Sequence, residues 1–411
     1  MKWIRPSNIE GAIDAPPSKS IMQRAVIAAA LADGESLITN ASFCEDALAT
    51  INVVQSLGAK VQRGDKKVKI SGNGKPLGPD MDCGESGTCM RMISAVAALY
   101  DKEFTITGRG SLMTRPVDMI EKPLKNLGVA CKTNNGLPPL KIKGPMHGGK
   151  LEINGAVTSQ FVSGLLMALP LCKEDSDIEV HDLKSHAYVS LTESVLHQFG
   201  IHIRIDEKMN RFLVNGNQRY LAREYKVDGD WSGAAFMLVA GAIAGNLEIR
   251  NLGSGIQPDQ SIKTVLLHAG ADIEFNGEDI TIHKSELSGF EYDATGSPDL
   301  FPPLAVLACN CKGKSVIYGT ERLKHKESDR ASVLVQELRK LGAEIKLKDN
   351  RMEIIGKKLK GGEISAHGDH RIAMAGAIAA LNSENGVEID NEKCVAKSYP
   401  EFFKDLEEVT K

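Results

Sequence analysis

The sequence predicts an α/β protein of two domains, each made of three repeats around buried helices, with a ligand cleft between the domains. Three observations predict it. A helix-ending glycine recurs at Gly58, Gly128, Gly200, Gly270 and Gly342, which fall 70 or 72 residues apart. A second, wholly apolar helix recurs at the same period behind a polar start. The 411 residues hold six such units of about 69 residues each.

Each glycine ends an amphipathic run, as in Leu57-Gly58-Ala59, Leu127-Gly128-Val129, Phe199-Gly200-Ile201, Ala269-Gly270-Ala271 and Leu341-Gly342-Ala343. Each precedes a short alternating run such as Ala343-Glu344-Ile345-Lys346-Leu347. That is the pattern of a helix, a glycine C-cap and a strand. The second helix type is rich in Ala, Gly, Met and Leu on every face, so it should be buried. Its six starts are Ser18-Lys19-Ser20, Ser86-Gly87-Thr88, Thr158-Ser159-Gln160, Asp230-Trp231-Ser232, Pro298-Asp299 and Gly368-Asp369-His370. The first three begin with Ser or Thr and the last three with or near Asp, which divides the chain near Asp228-Gly229-Asp230. The sixth unit ends in a helix near Phe402 to Val409, with no room for a closing strand. The segment Lys2 to Ile13 is expected to supply it. The expected domains are residues 15–227 and residues 1–14 with 228–411.

Composition narrows the function. Hydrophobic residues make up 42% and charged residues 25%, as in an ordinary globular protein. A net charge of −3 argues against general nucleic-acid or membrane-surface binding, so any basic site must be local. The N-terminus shows no apolar stretch of a secretory signal. The longest uncharged apolar run, Ala234 to Ala244, falls short of the roughly 20 residues that cross a bilayer. The expectation is a soluble, cytoplasmic chain. Eight cysteines include no CxxC pair, so reduced, mostly buried thiols are expected and no metal site. Gly313-Lys314-Ser315 lacks the earlier glycine of a P-loop, and Gly108-Arg109-Gly110 and Gly253-Ser254-Gly255 lack the third glycine of a dinucleotide fingerprint.

Cations normally avoid a helix N-terminus, where the macrodipole is positive. This chain places them there repeatedly: Lys19 and Arg24 in the first buried helix, Arg91 just past Thr88, and His370 with Arg371 at the last. Taken singly each could be a solvated charge. Repeated at equivalent positions they point to bound anions, held by N-terminal amides and basic side chains together. A dense charge run, Lys324-His325-Lys326-Glu327-Ser328-Asp329-Arg330, lies just before an outer helix. Arg115-Pro116 is expected to open another outer helix, and Ala396-Lys397-Ser398-Tyr399-Pro400 occupies the equivalent place in the sixth unit.

Eight stretches, in order along the whole chain, resemble the 5-enolpyruvylshikimate-3-phosphate synthase family of enolpyruvyl transferases. They are Pro17-Ser18-Lys19-Ser20 with Arg24, Ser86-Gly87-Thr88-Cys89-Met90-Arg91, Thr114-Arg115-Pro116, Thr158-Ser159-Gln160-Phe161, Pro298-Asp299, Lys326 to Arg330, Asp369-His370-Arg371 and Lys397-Ser398-Tyr399-Pro400. The resemblance implies two domains of three βαβαββ-like units, an inside-out α/β barrel. It implies that Lys19, Ser20, Arg24, Thr158, Ser159, Gln160, Ser185, Tyr188, Asp299 and Lys326 hold shikimate 3-phosphate. Lys19, Gly87, Arg91, Arg115, Gln160, Arg330, His370, Arg371 and Lys397 would surround phosphoenolpyruvate. Asp299 and Glu327 would carry protons, helped by Lys19 or Lys326. No cofactor is implied, and a monomer without nucleic-acid or membrane partners is expected. Pro17 stands where the family usually has Gly, Glu85 where Asn is usual, and Thr158 where Ser is usual. Arg322 and Lys324 replace other polar residues.

These residue types suit the implied chemistry. Phosphoenolpyruvate carries a carboxylate and a phosphate on three carbons, which calls for several Arg and Lys. The acceptor hydroxyl must lose a proton and the enol methylene must gain one. The nearest alternative is the related transferase acting on UDP-N-acetylglucosamine, which typically carries a reactive cysteine in the loop before its Arg-Pro. Here the matching position is Gly110. A non-catalytic anion-binding repeat protein would not need Asp299 and Glu327 beside the basic cluster.

Overall fold

The computed structural model describes residues 1–253 and 255–411; Ser254, within Gly253-Ser254-Gly255, lies outside the described residues. The chain forms two compact units, Lys19–Val227 and Met1–Ser18 with Asp228–Lys411, and each has its own apolar core. Three helices fill the middle of the first unit: α1 (Lys19–Leu31), α2 (Gly87–Ala97) and α3 (Gln160–Ala168). The second unit holds α4 (Trp231–Ala244), α5 (Phe301–Cys309) and α6 (His370–Leu381). Every residue of α4, α5 and α6 is buried, so these helices have no face on which a polar side chain would gain by meeting water.

The outer helices stop at the expected glycines. At Gly58 the amide reaches Gln55 O at 2.9 Å, and the next amide, of Ala59, reaches Val54 O at 3.1 Å. This Schellman pair of bonds recurs at Gly128, Gly200, Gly270 and Gly342. All five have φ between +82° and +99°, a conformation in which a Cβ is strained.

One strand order recurs. Two parallel strands lie side by side, and an antiparallel hairpin continues the sheet. In the first unit the parallel pairs are Glu224–Lys226 with Glu35–Thr39, Asp80–Asp82 with Glu103–Thr107, and Lys150–Asn154 with Ser176–His181. In the second they are Ile9–Asp14 with Gly245–Arg250, Glu291–Asp293 with Lys314–Tyr318, and Gly362–Ile364 with Val387–Ile389. Lys2–Ile4 lies antiparallel to Val387–Ile389. Ile9–Asp14 precedes α1 in sequence yet pairs with the strand after α4, while Glu224–Lys226 precedes α4 yet pairs with the strand after α1. That exchange makes the second unit discontinuous in sequence.

Two expectations need correction. No closed barrel forms among the described residues; the strands lie in separate sheets of two to four strands. Edge strands such as Lys60–Gly64 and Glu344–Lys348 are mostly exposed and carry charges, which blocks further pairing. Arg115-Pro116 does not open a helix. A 3-10 turn, Gly110–Thr114, ends just before Arg115, whose backbone is extended (φ −89°, ψ 135°) as a residue before proline tends to be. A further 3-10 turn, Asp118–Ile120, leads into the following α-helix, which starts at Glu121.

Candidate active site

In unit Lys19–Val227 the implicated residues gather at the N-terminal ends of the buried helices. Lys19, the first residue of α1, pairs with Asp46 at 3.0 Å. Arg24, one turn on and almost wholly buried, donates to Thr192 Oγ1 at 2.8 Å, Ser20 O at 2.8 Å and Tyr188 O at 3.3 Å. Its burial lowers the guanidinium's proton affinity to a pKa of about 10. Thr192 in turn donates to Ser163 Oγ at 2.8 Å, which ties α1 and α3 to the helix His186–Gln198. Ser185 occupies the cap position of that helix and Tyr188 its first turn.

Ser86 caps α2, its Oγ accepting from Cys89 N at 3.2 Å. Gly87 follows, and a Cβ there would stand 2.8 Å from Arg91 Nη1 and 3.1 Å from Arg115 Nη1. Gly87, Arg91 and Arg115 are therefore neighbours. Arg91 donates to Gln160 Oε1 at 2.8 Å and to Pro116 O at 3.0 Å; Gln160 donates to Thr88 Oγ1 at 2.8 Å. Thr158 Oγ1 accepts the Gln160 amide at 3.1 Å, so the hydroxyl kept there serves the start of α3. Glu85 accepts from Ser111 at 3.3 Å, and its carboxylate fills the space a Cβ on Gly110 would need.

The second unit holds a denser charged group. Asp299 sits in the 3-10 turn Pro298–Leu300, whose cap residue is Ser297, so its carboxylate is not the cap. It meets Lys326 Nζ at 3.2 Å, Arg330 Nη1 at 3.0 Å and Arg371 Nη2 at 3.0 Å. Arg330 also donates to Glu327 Oε2 at 2.6 Å, and Lys397 Nζ lies 3.8 Å from Glu327 Oε1. Asp369 caps α6 through the Arg371 amide at 3.0 Å and holds Arg330 as well. His370, beside it, is fully buried. The charge run thus splits: Lys324 and His325 are exposed, while Arg330 is buried.

Burial opposes the charge of Asp299, but Arg371, Lys326 and Arg330 overcome it and hold its carboxyl well below the usual range. Burial likewise opposes Arg330, yet Asp369, Glu327 and Asp299 keep its guanidinium above its ordinary value. Lys326 is lowered, by burial first, against the pull of Asp299. The compensation for cations at helix starts is therefore partly internal, supplied by Asp46, Asp299 and Asp369. Such a set can hold a multiply charged anion by exchanging internal carboxylates for ligand oxygens, and its carboxylates can move protons. Among the described residues no group of three or more His, Cys, Asp or Glu is arranged to hold a metal.

Sequence reasoning missed the partners. Gln23 joins Asp46 O, Thr50 and Ser86 Oγ at 3.1, 3.0 and 2.7 Å, linking the Lys19 and Gly87 regions. Thr192 and Asp46 were equally unmarked. They lie outside the recurring helix starts, and only the burial of a Gln inside an apolar helix could have signalled one of them.

Comparison with known proteins follows the same path. A family model described as EPSP synthase (3-phosphoshikimate 1-carboxyvinyltransferase) matches residues 4–406. A 3-phosphoshikimate 1-carboxyvinyltransferase of Clostridium novyi is 40% identical over 99% of this chain and 96% of its own. One of Methanocorpusculum labreanum is 38% identical over 98% of this chain and 97% of its own. The solved EPSP synthase of Acinetobacter baumannii superposes with a TM-score of 0.82 at 26% identity, covering 99% of this chain and 98% of that one.

Proposed function

The chain belongs to the EPSP synthase family, and from that premise we infer how its residues carry the reaction. The chain is an enolpyruvyl transferase of the shikimate pathway, which leads to chorismate and the aromatic amino acids. It moves the enolpyruvyl group of phosphoenolpyruvate onto the 5-hydroxyl of shikimate 3-phosphate and releases phosphate.

The assignment of residues rests chiefly on one observation: Asp299 is met at once by Lys326, Arg330 and Arg371, brought together from three separate stretches of sequence. Arg330, His370, Arg371 and Lys397, with Lys19, Gly87, Arg91, Arg115 and Gln160, are proposed to take phosphoenolpyruvate. Lys19, Ser20, Arg24, Thr158, Ser159, Gln160, Ser185, Tyr188, Asp299 and Lys326 are proposed to take the acceptor. Asp299 would accept the acceptor's hydroxyl proton as its oxygen bonds to C2 of phosphoenolpyruvate. Glu327, helped by Lys19 or Lys326, would supply a proton to C3. The tetrahedral adduct then loses phosphate and returns that proton, restoring the double bond. Glu327 is paired with Arg330 and Lys397, which favours its carboxylate. Drawing those two cations toward substrate oxygens is what would let Glu327 take up a proton.

The UDP-N-acetylglucosamine alternative is not favoured. Gly110 has φ +55°, a conformation in which a cysteine would be strained, and a side chain there would have to displace the Glu85 carboxylate. A cytoplasmic, monomeric protein remains our reading; its eight free cysteines suit a reducing compartment. The test is phosphate release from phosphoenolpyruvate with shikimate 3-phosphate, with UDP-N-acetylglucosamine, or with neither. Release with the first alone is expected, and release with the second would refute the assignment.

A further inference from the structure

Gln23 is fully buried in α1, as are its apolar helix neighbours Met22, Ala25 and Val26. Its Nε2 lies 3.1 Å from Asp46 O, 3.0 Å from Thr50 Oγ1 and 2.7 Å from Ser86 Oγ. A carbonyl can only accept, so the atom facing Asp46 O is the nitrogen, and that fixes the orientation of the amide. The other end, Oε1, is buried and has no hydrogen-bond partner among the described residues. Burying an unpaired acceptor is unfavourable, and an apolar side chain of the same length would avoid it. Nor do the oxygens around Nε2 depend on the amide. Thr50 donates to Asp46 O at 3.0 Å, and the Cys89 amide donates to Ser86 Oγ at 3.2 Å. What the amide adds is position.

Lys19 and Gln23 stand one helical turn apart on one face of α1. Both reach Asp46, Lys19 its carboxylate at 3.0 Å and Gln23 its carbonyl at 3.1 Å. The same Gln23 nitrogen holds Ser86, the cap of α2 and the residue before Gly87. Arg24, the next residue of α1, bonds instead to Thr192 and Tyr188 on the helix His186–Gln198. We propose that Gln23 is a positioning residue for phosphoenolpyruvate: its amide ties the backbone of Asp46 to the cap of α2, and so fixes the Gly87 turn relative to Lys19 and its carboxylate partner. This rests on the phosphoenolpyruvate set given above, which includes Lys19 and Gly87. A small anion held by both needs them at a fixed separation, and errors well under an ångström in such a constellation cost affinity. Gln23 acts through Asp46 and Ser86 and touches neither substrate in this assignment.

The experiment is calorimetric titration of the wild type and of Gln23→Met with phosphoenolpyruvate and with shikimate 3-phosphate, each alone so that no turnover occurs. Methionine keeps the length and helix preference of glutamine but donates no hydrogen bond. The Kd for phosphoenolpyruvate is expected to rise roughly fivefold or more, because two of its holders lose their fixed separation. The Kd for shikimate 3-phosphate should change by less than about twofold, because Arg24 is anchored on another helix. A second measurement joins Gln23→Met to Gly87→Ala. If Gln23 acts through the Gly87 turn, the double variant should weaken phosphoenolpyruvate by less than the product of the two single effects. A residue that only supported the core would lower Tm and leave the ratio of the two Kd values unmoved. An unmoved ratio, or effects that multiply in full, overturns the proposal. If Gln23→Met does not fold, Gln23→Asn, whose amide is one carbon short of Ser86, is read by the same ratio. Phosphate release tests the reaction apart: a wild type that binds phosphoenolpyruvate without releasing phosphate refutes the reaction and leaves the positioning in place.

Discussion

Arg330 and Asp369 are joined by two hydrogen bonds, Nε to Oδ2 at 2.8 Å and Nη2 to Oδ1 at 3.1 Å, and neither side chain is more than 1% exposed. The same carboxylate caps α6 through the Arg371 amide, so one residue holds both arginines. Asp369→Ala should destabilise the protein by about 3–5 kcal/mol, the usual cost of leaving a buried partner uncompensated. Asp369→Asn, which can still cap the helix, should lose less. Urea unfolding of the two variants checks the order, and equal losses would mean that the pair, not the cap, carries the stability.

Gly87→Ala probes the neighbouring guanidinium groups. Its Cβ would press on the ends of Arg91 and Arg115, which are flexible and can yield. Stability should change by less than about 1 kcal/mol, while the KM for phosphoenolpyruvate should rise about tenfold because both arginines are displaced. An unchanged KM would place that substrate elsewhere.

Arg24 and Arg371 should separate the two substrates. Arg371→Ala should weaken phosphoenolpyruvate most, by about 1.5–3 kcal/mol for a charge-assisted contact. Arg24→Ala should weaken shikimate 3-phosphate most. It should also destabilise the fold, because Arg24 joins α1 to the helix His186–Gln198. Calorimetry showing the same loss of both ligands in both variants would argue against distinct subsites.

Asp299→Asn and Glu327→Gln should each fold and bind both substrates, yet lose roughly 100-fold or more in kcat, the scale of general acid–base catalysis. Normal turnover by Asp299→Asn would leave the mechanism without its base. The low pKa of Asp299 also has a stability sign. Its ionised form stabilises the native state above the unfolded carboxyl value of about 3.9, and that contribution is lost as pH falls through the depressed folded value. The stability gap between wild type and Asp299→Asn should therefore be full at pH 7 and shrink in acid. A gap independent of pH would contradict the ion pairing.

Much of the fold was legible because its signals are local. A glycine at positive φ ends a helix whatever surrounds it, so Gly58 and Gly342 could be read directly. The apolar helices announced their own burial. Arg115-Pro116 misled because proline at a helix start and an extended residue before proline are both local rules, and here the second prevails. The barrel expectation failed because edge pairing depends on exposed strands such as Lys60–Gly64, whose sequence does not say what lies beside them.

By itself the sequence determined the period of the elements, the buried helices and the family, since each rests on residue types at fixed spacing. Only the tertiary structure decided that Ile9–Asp14 pairs with Gly245–Arg250 and that Asp299 faces Lys326, Arg330 and Arg371. It alone decided that Asp46, Asp369 and Gln23 neutralise or join the helix starts. The physical reason is range. Capping and periodicity act within a turn or two of chain, whereas the charge state of a buried carboxyl is set by whichever cations the packing places within a few ångströms of it.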